Sequence, residues 1–315
     1  MLLDICAGKR PLWWRPFVVA MLQTSVLALE DIPYEVRRRF ATIIFDEGHH
    51  VPAATFQMAA NVFYGNRLGL TATYEREDGL HHILERHVGP IFYKNLEGDL
   101  TANVYAMDTD IALDLEDEEV LAEITVLRSQ WDRRQKRWVR KREFQHAMLA
   151  RYLGSLNKRN HLIVDCVTHF LRQGRRILVL SQSPDHVQNL VDVMRDIHDT
   201  GVRVGAVTGD TPARERTSII RDAHVTFATI GVAREGLDAT RLDTVIFATP
   251  FSAWATFQQG KGRAERAVPG KKPPIALLLR DNLIPVANGT FYSLARKMKR
   301  HGIRYIDIRD LTQAS

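Results

Sequence analysis

Eight short apolar runs, rich in β-branched residues, constrain this chain more than any other feature. They are FVVAML (17–22), TIIF (42–45), RLGLTA (67–72), RILVLS (176–181), VRVGAV (202–207), VTFAT (225–229), TVIFAT (244–249) and IALLL (275–279). Each is nearly continuous rather than alternating, which is how a strand covered on both faces reads. Helix-length amphipathic stretches lie between them, so the expected architecture is a parallel, doubly wound α/β sheet. At 315 residues and 45% apolar composition the chain can bury a substantial core, and its length suggests about two domains. That composition argues against disorder, collagen and coiled coil.

The net charge of +6 permits an acidic polymer as partner without demanding one. Cys6 and Cys166 form no CxxC, so neither a disulfide framework nor a thiolate metal site is indicated, and a reducing cytosol, of a cell or of a host, is the simplest setting. Basic residues precede the apolar run Phe17 to Leu29, as in a leader. That run is too short to cross a bilayer, Gln23, Thr24 and Ser25 interrupt it, and no A-x-A site follows, so it reads as a buried strand entering a polar loop. No membrane association is expected.

The middle of the chain breaks the rhythm. Residues 108–119, DTDIALDLEDEE, carry seven acids and no base, whereas residues 131–160 carry ten Lys or Arg against two acids. Val120, Ile124, Leu127 and Trp131 keep helical spacing between the blocks, which predicts a long helical connector over 108–149. The basic run reads either as a solvated helix face or as a nucleic-acid contact surface.

Three stretches could carry chemistry. In ATIIFDEGHH the acidic pair Asp46 and Glu47 stands at a strand end, a rigid mount from which one carboxylate can hold Mg²⁺ through its waters and another can polarise an attacking water. In RLGLTATYERED, Thr71 and Thr73 follow a second buried strand, either as a plain turn or as a relay. In QGKGRAER, Gln259, Gly262, Arg263 and Arg266 follow one another at helical spacing. Two guanidiniums on nearly one helix face would make an anion clamp, with Gly262 allowing close approach. Histidines 49, 50, 81, 82 and 87 lack partners at zinc-ligand spacing and read as surface residues, while Trp13 and Trp14 could stack on bases or be interface remnants.

The order D-E-x-H, T-A-T, E-G-L-D and Q-x-x-G-R-x-x-R resembles that of superfamily 2 helicases, and RLGLTATYEREDG with GPIFY behind it looks like the XPB-like branch of these DEAD/DEAH-box-type enzymes. The resemblance runs from about Val18 to about Asp281. It implies two RecA-like lobes that close on ATP and step along one strand of nucleic acid. The expected division is a partial first lobe over 1–107, the connector over 108–149 and a second lobe over 150–315. By position it assigns Asp46 to Mg²⁺, Glu47 to water activation, and His50, Gln259, Arg263 and Arg266 to the catalytic set. It further assigns Thr71, Thr73, Gly236 and Asp238 to coupling, and Thr24, Ser181 and Thr229 to the phosphodiester backbone. Arg137, Arg140 and Lys141 of the basic run join the nucleic-acid contacts, with DNA favoured over RNA.

Two departures stand out. The family begins with a phosphate loop, G-x-G-K-S/T, upstream of the acidic pair, and none is present. AGKRP at 7–11 has Arg10 where the metal-binding hydroxyl belongs and Pro11 where a helix should run on. The chain therefore reads as a helicase lacking the start of its first lobe, with ATP and Mg²⁺ as cofactors only if another polypeptide supplies that loop. The other departure is Gly260, where the family more often has arginine. The expected function is the C-terminal part of an ATP-dependent DNA helicase or translocase. The alternative is a nucleic-acid-binding remnant without ATP turnover.

Overall fold

The computed structural model describes residues 5–6, 16–20, 32–48, 58, 60–71, 81–93, 100–132, 136–197, 201–234 and 241–314. The chain divides into two compact units, Met1–Leu96 and Glu97–Ser315. In the first, strands β1 (Ile5–Cys6) and β2 (Val19–Ala20) pair in parallel, as do β3 (Thr42–Phe45) and β4 (Asn66–Gly69). Helix α1 (Tyr34–Arg39) buries Val36 with Ile32 and Val62, and α2 (His81–His87) sends Leu84 against Phe45 and Ala60.

The second unit holds a seven-stranded, all-parallel sheet. Its strands are β5 (Asn103–Asp108), β8 (Ile177–Ser181), β9 (Val204–Val207), β10 (Val225–Thr229), β11 (Thr244–Phe247), β12 (Ile275–Arg280) and β13 (Ile306–Ile308), in spatial order β13-β5-β12-β11-β8-β10-β9. The continuous apolar runs now have their cause. Leu178, Leu180, Val245 and Phe247 face one core layer, and Ile177, Val179, Ile246 and Phe227 face the other. Helices α5 (Asn157–Arg172) and α6 (Pro184–Ile197) cover the second layer through Ile163, Val167, Phe170, Leu190 and Met194. Helices α7 (Ala213–Asp222), α8 (Ile230–Arg234), α9 (Trp254–Ala264) and α10 (Pro285–Arg300) cover the first. The doubly wound expectation holds.

The long helical connector does not form. Helix α3 takes only Glu118–Ile124, and the chain then turns into an antiparallel hairpin of β6 (Thr125–Asp132) and β7 (Arg137–Phe144), followed by α4 (His146–Ser155). The helical stripe ends at Ile124, which is fully buried, whereas Leu127 and Trp131 are 62% and 47% exposed. Thr125 already has extended backbone, φ −130° and ψ 158°, and the run Thr125-Val126-Leu127 suits a strand. Because both faces of the hairpin meet solvent, no alternation marks it in the sequence. The lobe boundary also moves: β5, expected in the first lobe, lies between β12 and β13 in the second unit's sheet. The base of the hairpin packs there too, with Ile124 and Phe144 joining Leu149, Leu153, Ile284 and Ala287.

Where the sheet's C-terminal ends converge, Arg159 and Asp281 form a fully buried ion pair. Arg159 Nε and Nη2 donate to the two carboxylate oxygens at 2.9 and 3.0 Å, and Nη1 donates to the Ala248 carbonyl at 2.6 Å. Thr109 adds a hydroxyl donor to Asp281 at 2.9 Å. Removing one partner strands the other charge, so Arg159→Met is expected to lower unfolding free energy by about 3–5 kcal/mol, and adding Asp281→Leu to recover much of that loss. Urea titration of both variants checks it. Equal loss in the single and double variants would mean that packing, not the stranded carboxylate, sets the cost.

Candidate nucleotide and nucleic-acid sites

The acidic pair sits where a strand end should put it. Asp46 follows β3, is exposed, and accepts the Glu47 amide on Oδ1 at 3.0 Å, while Glu47 takes a left-handed backbone, φ 50°. The Gly48 amide donates to the Leu70 carbonyl at 2.8 Å, and the Leu70 amide to Phe45 at 2.9 Å. The acidic turn is therefore tied to the residue immediately before Thr71, which brings the D-E pair and Thr71 to one end of two paired strands. Asp46 is a hard, oriented oxygen donor, which fits Mg²⁺. Among the described residues no three His, Cys, Asp or Glu gather as a metal cage, so such an ion would keep much of its coordination as water.

In the second unit, α9 carries the Q-x-x-G-R stretch. Trp254, Phe257, Gly260 and Ala264 form its buried face. A Cβ on Gly260 would lie 2.8 Å from the Phe247 ring and 3.0 Å from Leu180, so the helix rests directly on the sheet and leaves no room for the arginine found elsewhere at this position. A Cβ on Gly262 would meet nothing within 4 Å, so that glycine faces open space. Gln259 and Arg263 share a helix face one turn apart. Gln259 Oε1 is buried with no hydrogen-bond partner among the described residues, and Arg263 is 9% exposed. Arg266 does not continue that face: the helix ends at Ala264, and Arg266 is exposed beyond it. Its carbonyl accepts from Lys271 Nζ at 2.8 Å, and burial lowers the pKa of that lysine.

Residues 158–268, which span α9 and the preceding strands, match the helicase conserved C-terminal domain family. A protein of Acanthamoeba polyphaga mimivirus named as an ATP-dependent RNA helicase is 24% identical over 286 residues, covering 88% of this chain and 49% of that protein. The DNA 3'-5' translocase XPB2 of Sulfurisphaera tokodaii is 41% identical over 73 residues, 23% of this chain and 17% of that one. Over residues 158–268 the second unit is thus similar to the C-terminal domain of helicases. A variant of S. cerevisiae Dbp5, solved with RNA and ADP BeF3, shares the fold at TM-score 0.62 and 12% identity, covering 98% of this chain and 70% of that one. The chain spans about half the length of the mimivirus relative.

Within the second unit, two residues expected at phosphodiester contacts are interior. Ser181 and Thr229 are register partners at the ends of β8 and β10, 1% and 8% exposed. The Ser181 hydroxyl meets His186 Nδ1 at 2.9 Å, His186 Nε2 meets Asn160 Oδ1 at 3.0 Å, and Asn160 Nδ2 donates to the Gly154 carbonyl at 2.9 Å. Ser181 is thus a structural hydroxyl, because the strand end that carries it lies beneath α6. The exposed member of that loop is Gln182, held by its amide on Thr249 Oγ1 and its side chain on the Pro250 carbonyl. Arg137, Arg140 and Lys141 are exposed on β7. Thr24, His50, Thr73, Gly236, Asp238, Trp13 and Trp14 lie outside the described residues. The sequence reading missed Arg159, His186 and Asp281, which carry no local motif. It also missed the tryptophans 131 and 138, whose symmetric placement about the hairpin loop was the available signal.

His186 gives the domain an acid sensitivity. Burial, and then the Arg159 charge, lower its pKa from 6.5 to about 3. The unfolded chain therefore binds the extra proton between those values. Stability is whole above about pH 6.5 and falls as the pH drops, by up to about 1.4 kcal/mol per unit. Between about pH 7.5 and about pH 5.0, wild type should lose about 2 kcal/mol more than His186→Gln in urea titrations. Parallel losses in both would assign the acid sensitivity elsewhere.

Proposed function

We propose that this chain is the C-terminal part of a superfamily 2 DNA helicase or translocase of the XPB-like branch, its ATP site completed by a phosphate loop supplied in trans. The observation that carries this reading is the helicase stretch on α9, where a buried Gln259 oxygen without a described partner lies one turn from Arg263. Leaving such an oxygen unmet is costly, and a ligand is one way to meet it. In this reading Asp46 holds Mg²⁺ through its waters, Glu47 activates the attacking water, and His50 belongs to the same catalytic set. Arg263 and Arg266 stabilise the transferring γ-phosphoryl group, with Gln259 nearby. Thr71, Thr73, Gly236 and Asp238 transmit closure to the bound strand. Thr24, Arg137, Arg140 and Lys141 contact nucleic acid, DNA in preference to RNA.

ATP turnover tests it. The purified chain alone should show essentially none, because the backbone cradle and lysine for the β- and γ-phosphates are lacking from these 315 residues. Adding a polypeptide that carries the G-x-G-K-S/T loop with its strand and helix should restore nucleic-acid-stimulated hydrolysis. In that mixture Glu47→Gln should nearly abolish turnover, and Arg263→Ala should cut it by about 10³ to 10⁵. Robust, Glu47-dependent hydrolysis by the chain alone would overturn the in-trans loop.

The basic hairpin favours a second reading, a nucleic-acid-binding remnant without turnover. Persistent inactivity with the loop-bearing partner present, alongside intact binding, would move the assignment there. On either reading, binding should weaken steeply with salt, with a slope of about −3 or steeper in log K against log salt. Reversing the charges of Lys136, Arg137, Arg140 and Lys141 together should flatten that slope. An unchanged slope in fluorescence anisotropy would leave the hairpin cations as solvated side chains.

A further inference from the structure

The hairpin carries more than charge. Opposite residues in an antiparallel pair share a face, and the register sets Trp131 against Trp138, Ser129 against Arg140, Leu127 against Arg142 and Thr125 against Phe144. These residues form one face, while Arg128, Lys141 and Glu143 belong to the other. The two indoles meet edge to face, with centroids 5.8 Å apart and planes at 68°, and they remain 47% and 69% exposed. Cross-strand aromatic pairs do stabilise ribbons. That role accounts for the contact between the rings, but not for leaving so much of both in water at the end of the ribbon farthest from its packed base.

We propose that this face binds single-stranded nucleic acid by stacking unpaired bases on Trp131 and Trp138, with Arg140 meeting the adjoining phosphate. Charge decides the occupant. The ribbon residues on this face include no acid, and Arg140 follows Trp138 by two positions, about 7 Å along the strand. Arg142, one step nearer the base, is engaged by Glu118. Lys136 and Lys141 are exposed on the same ribbon. Aromatic faces interleaved with cations suit a strand whose bases are unpaired and whose backbone is anionic, and such stacking tolerates any sequence. The mount is fixed: Ile124 and Phe144 pack at the hairpin's base, and the Gln145 amide closes it onto the Ile124 carbonyl at 3.1 Å. The inference rests on the nucleic-acid-binding reading above and adds to it the strand form and the contacting groups.

The test uses the full chain and a fluorescein-labelled oligothymidylate of about twenty nucleotides, beside a wholly abasic strand of the same length. Wild type should bind the abasic strand on the order of tenfold or more weakly than the normal one. Trp131→Ala/Trp138→Ala should bind both strands equally, at the weaker level, with the salt slope unchanged because no charge is lost. Trp131→Phe/Trp138→Phe should keep most of the preference. Should the alanine variant misfold, the comparison of the two strands on wild type still decides. Equal binding of both strands by wild type would overturn the proposal while leaving the basic hairpin's phosphate binding in place, and would make this face a candidate for a protein partner. Absence of all nucleic-acid binding by wild type would overturn the binding reading as well.

Discussion

The second unit is organised around one buried guanidinium. Arg159 sits in the first turn of α5 and donates to both oxygens of Asp281, which follows β12, and to the carbonyl of Ala248, which follows β11. Thr109, just past β5, reaches the same carboxylate. Three strand ends and one helix start are thereby fixed to each other through a single desolvated charge pair. An ion pair so placed adds little net stability over an apolar substitute, but removing either half is severe, so its effect is to make one arrangement of those ends far better than its neighbours. The adjacent residue extends the arrangement: Asn160 holds His186, which holds Ser181 at the end of β8. Arg159 also helps keep His186 neutral, so the two networks are electrostatically linked.

This plug determines where the domain can meet a ligand. In open α/β sheets the crevice outside the strand C-termini, at the switch in strand order, is the usual binding place. Here the switch falls between β8 and β11, and side chains of the domain itself fill it: Gln182 bonds across to Thr249 and Pro250, and Arg159 lies beneath. On the proposed reading, the groups that meet a ligand stand at the rim, in the last turn of α9 and on the hairpin. The position of α9 follows from Gly260, whose missing side chain lets the helix settle on Phe247 and Leu180. Cations at its end, Lys261 and Arg263, also suit the negative pole of the helix.

Legibility in the sequence followed the number of faces an element buries. Strands covered on both sides, such as ILVLS and IALLL, were plain, because two apolar layers force a continuous apolar run. The hairpin buries almost nothing along its length, so no period of two appeared, and the spacing of Val120, Ile124, Leu127 and Trp131 imitated a helix beyond its true end. β5 was not among the runs read as strands: Val104 to Met107 are buried, but polar Asn103 and Asp108 at its ends shorten the apolar run to four residues. The acidic pair, the threonine after β4 and the α9 stretch were legible because they are local motifs. Arg159, Asp281 and His186 were not, since Arg159 and Asp281 stand 122 residues apart and His186 and Asn160 stand 26 apart, and only the fold brings them together. Ser181 belongs to a local motif, but burial of the strand end that carries it is a property of the fold.

The uneven distribution of charge along the middle of the chain acquires a physical meaning in three dimensions. The acidic block is largely absorbed by structure near the sheet and the hairpin's base. Asp108 pairs with Arg280, Asp110 exchanges hydrogen bonds with Asn282, Asp117 caps α3 through the Glu119 amide, and Glu118 pairs with Arg142. Cations of the opposite block lie farther along the ribbon: Lys136 stands in the loop, Arg137 begins β7, and Arg140 and Lys141 follow. The acidic block is thus paired beside the root of the arm, while exposed cations stand along the arm itself. Exposed cations placed so favour a polyanion along the arm over one at its root, and the two tryptophans stand on that same arm.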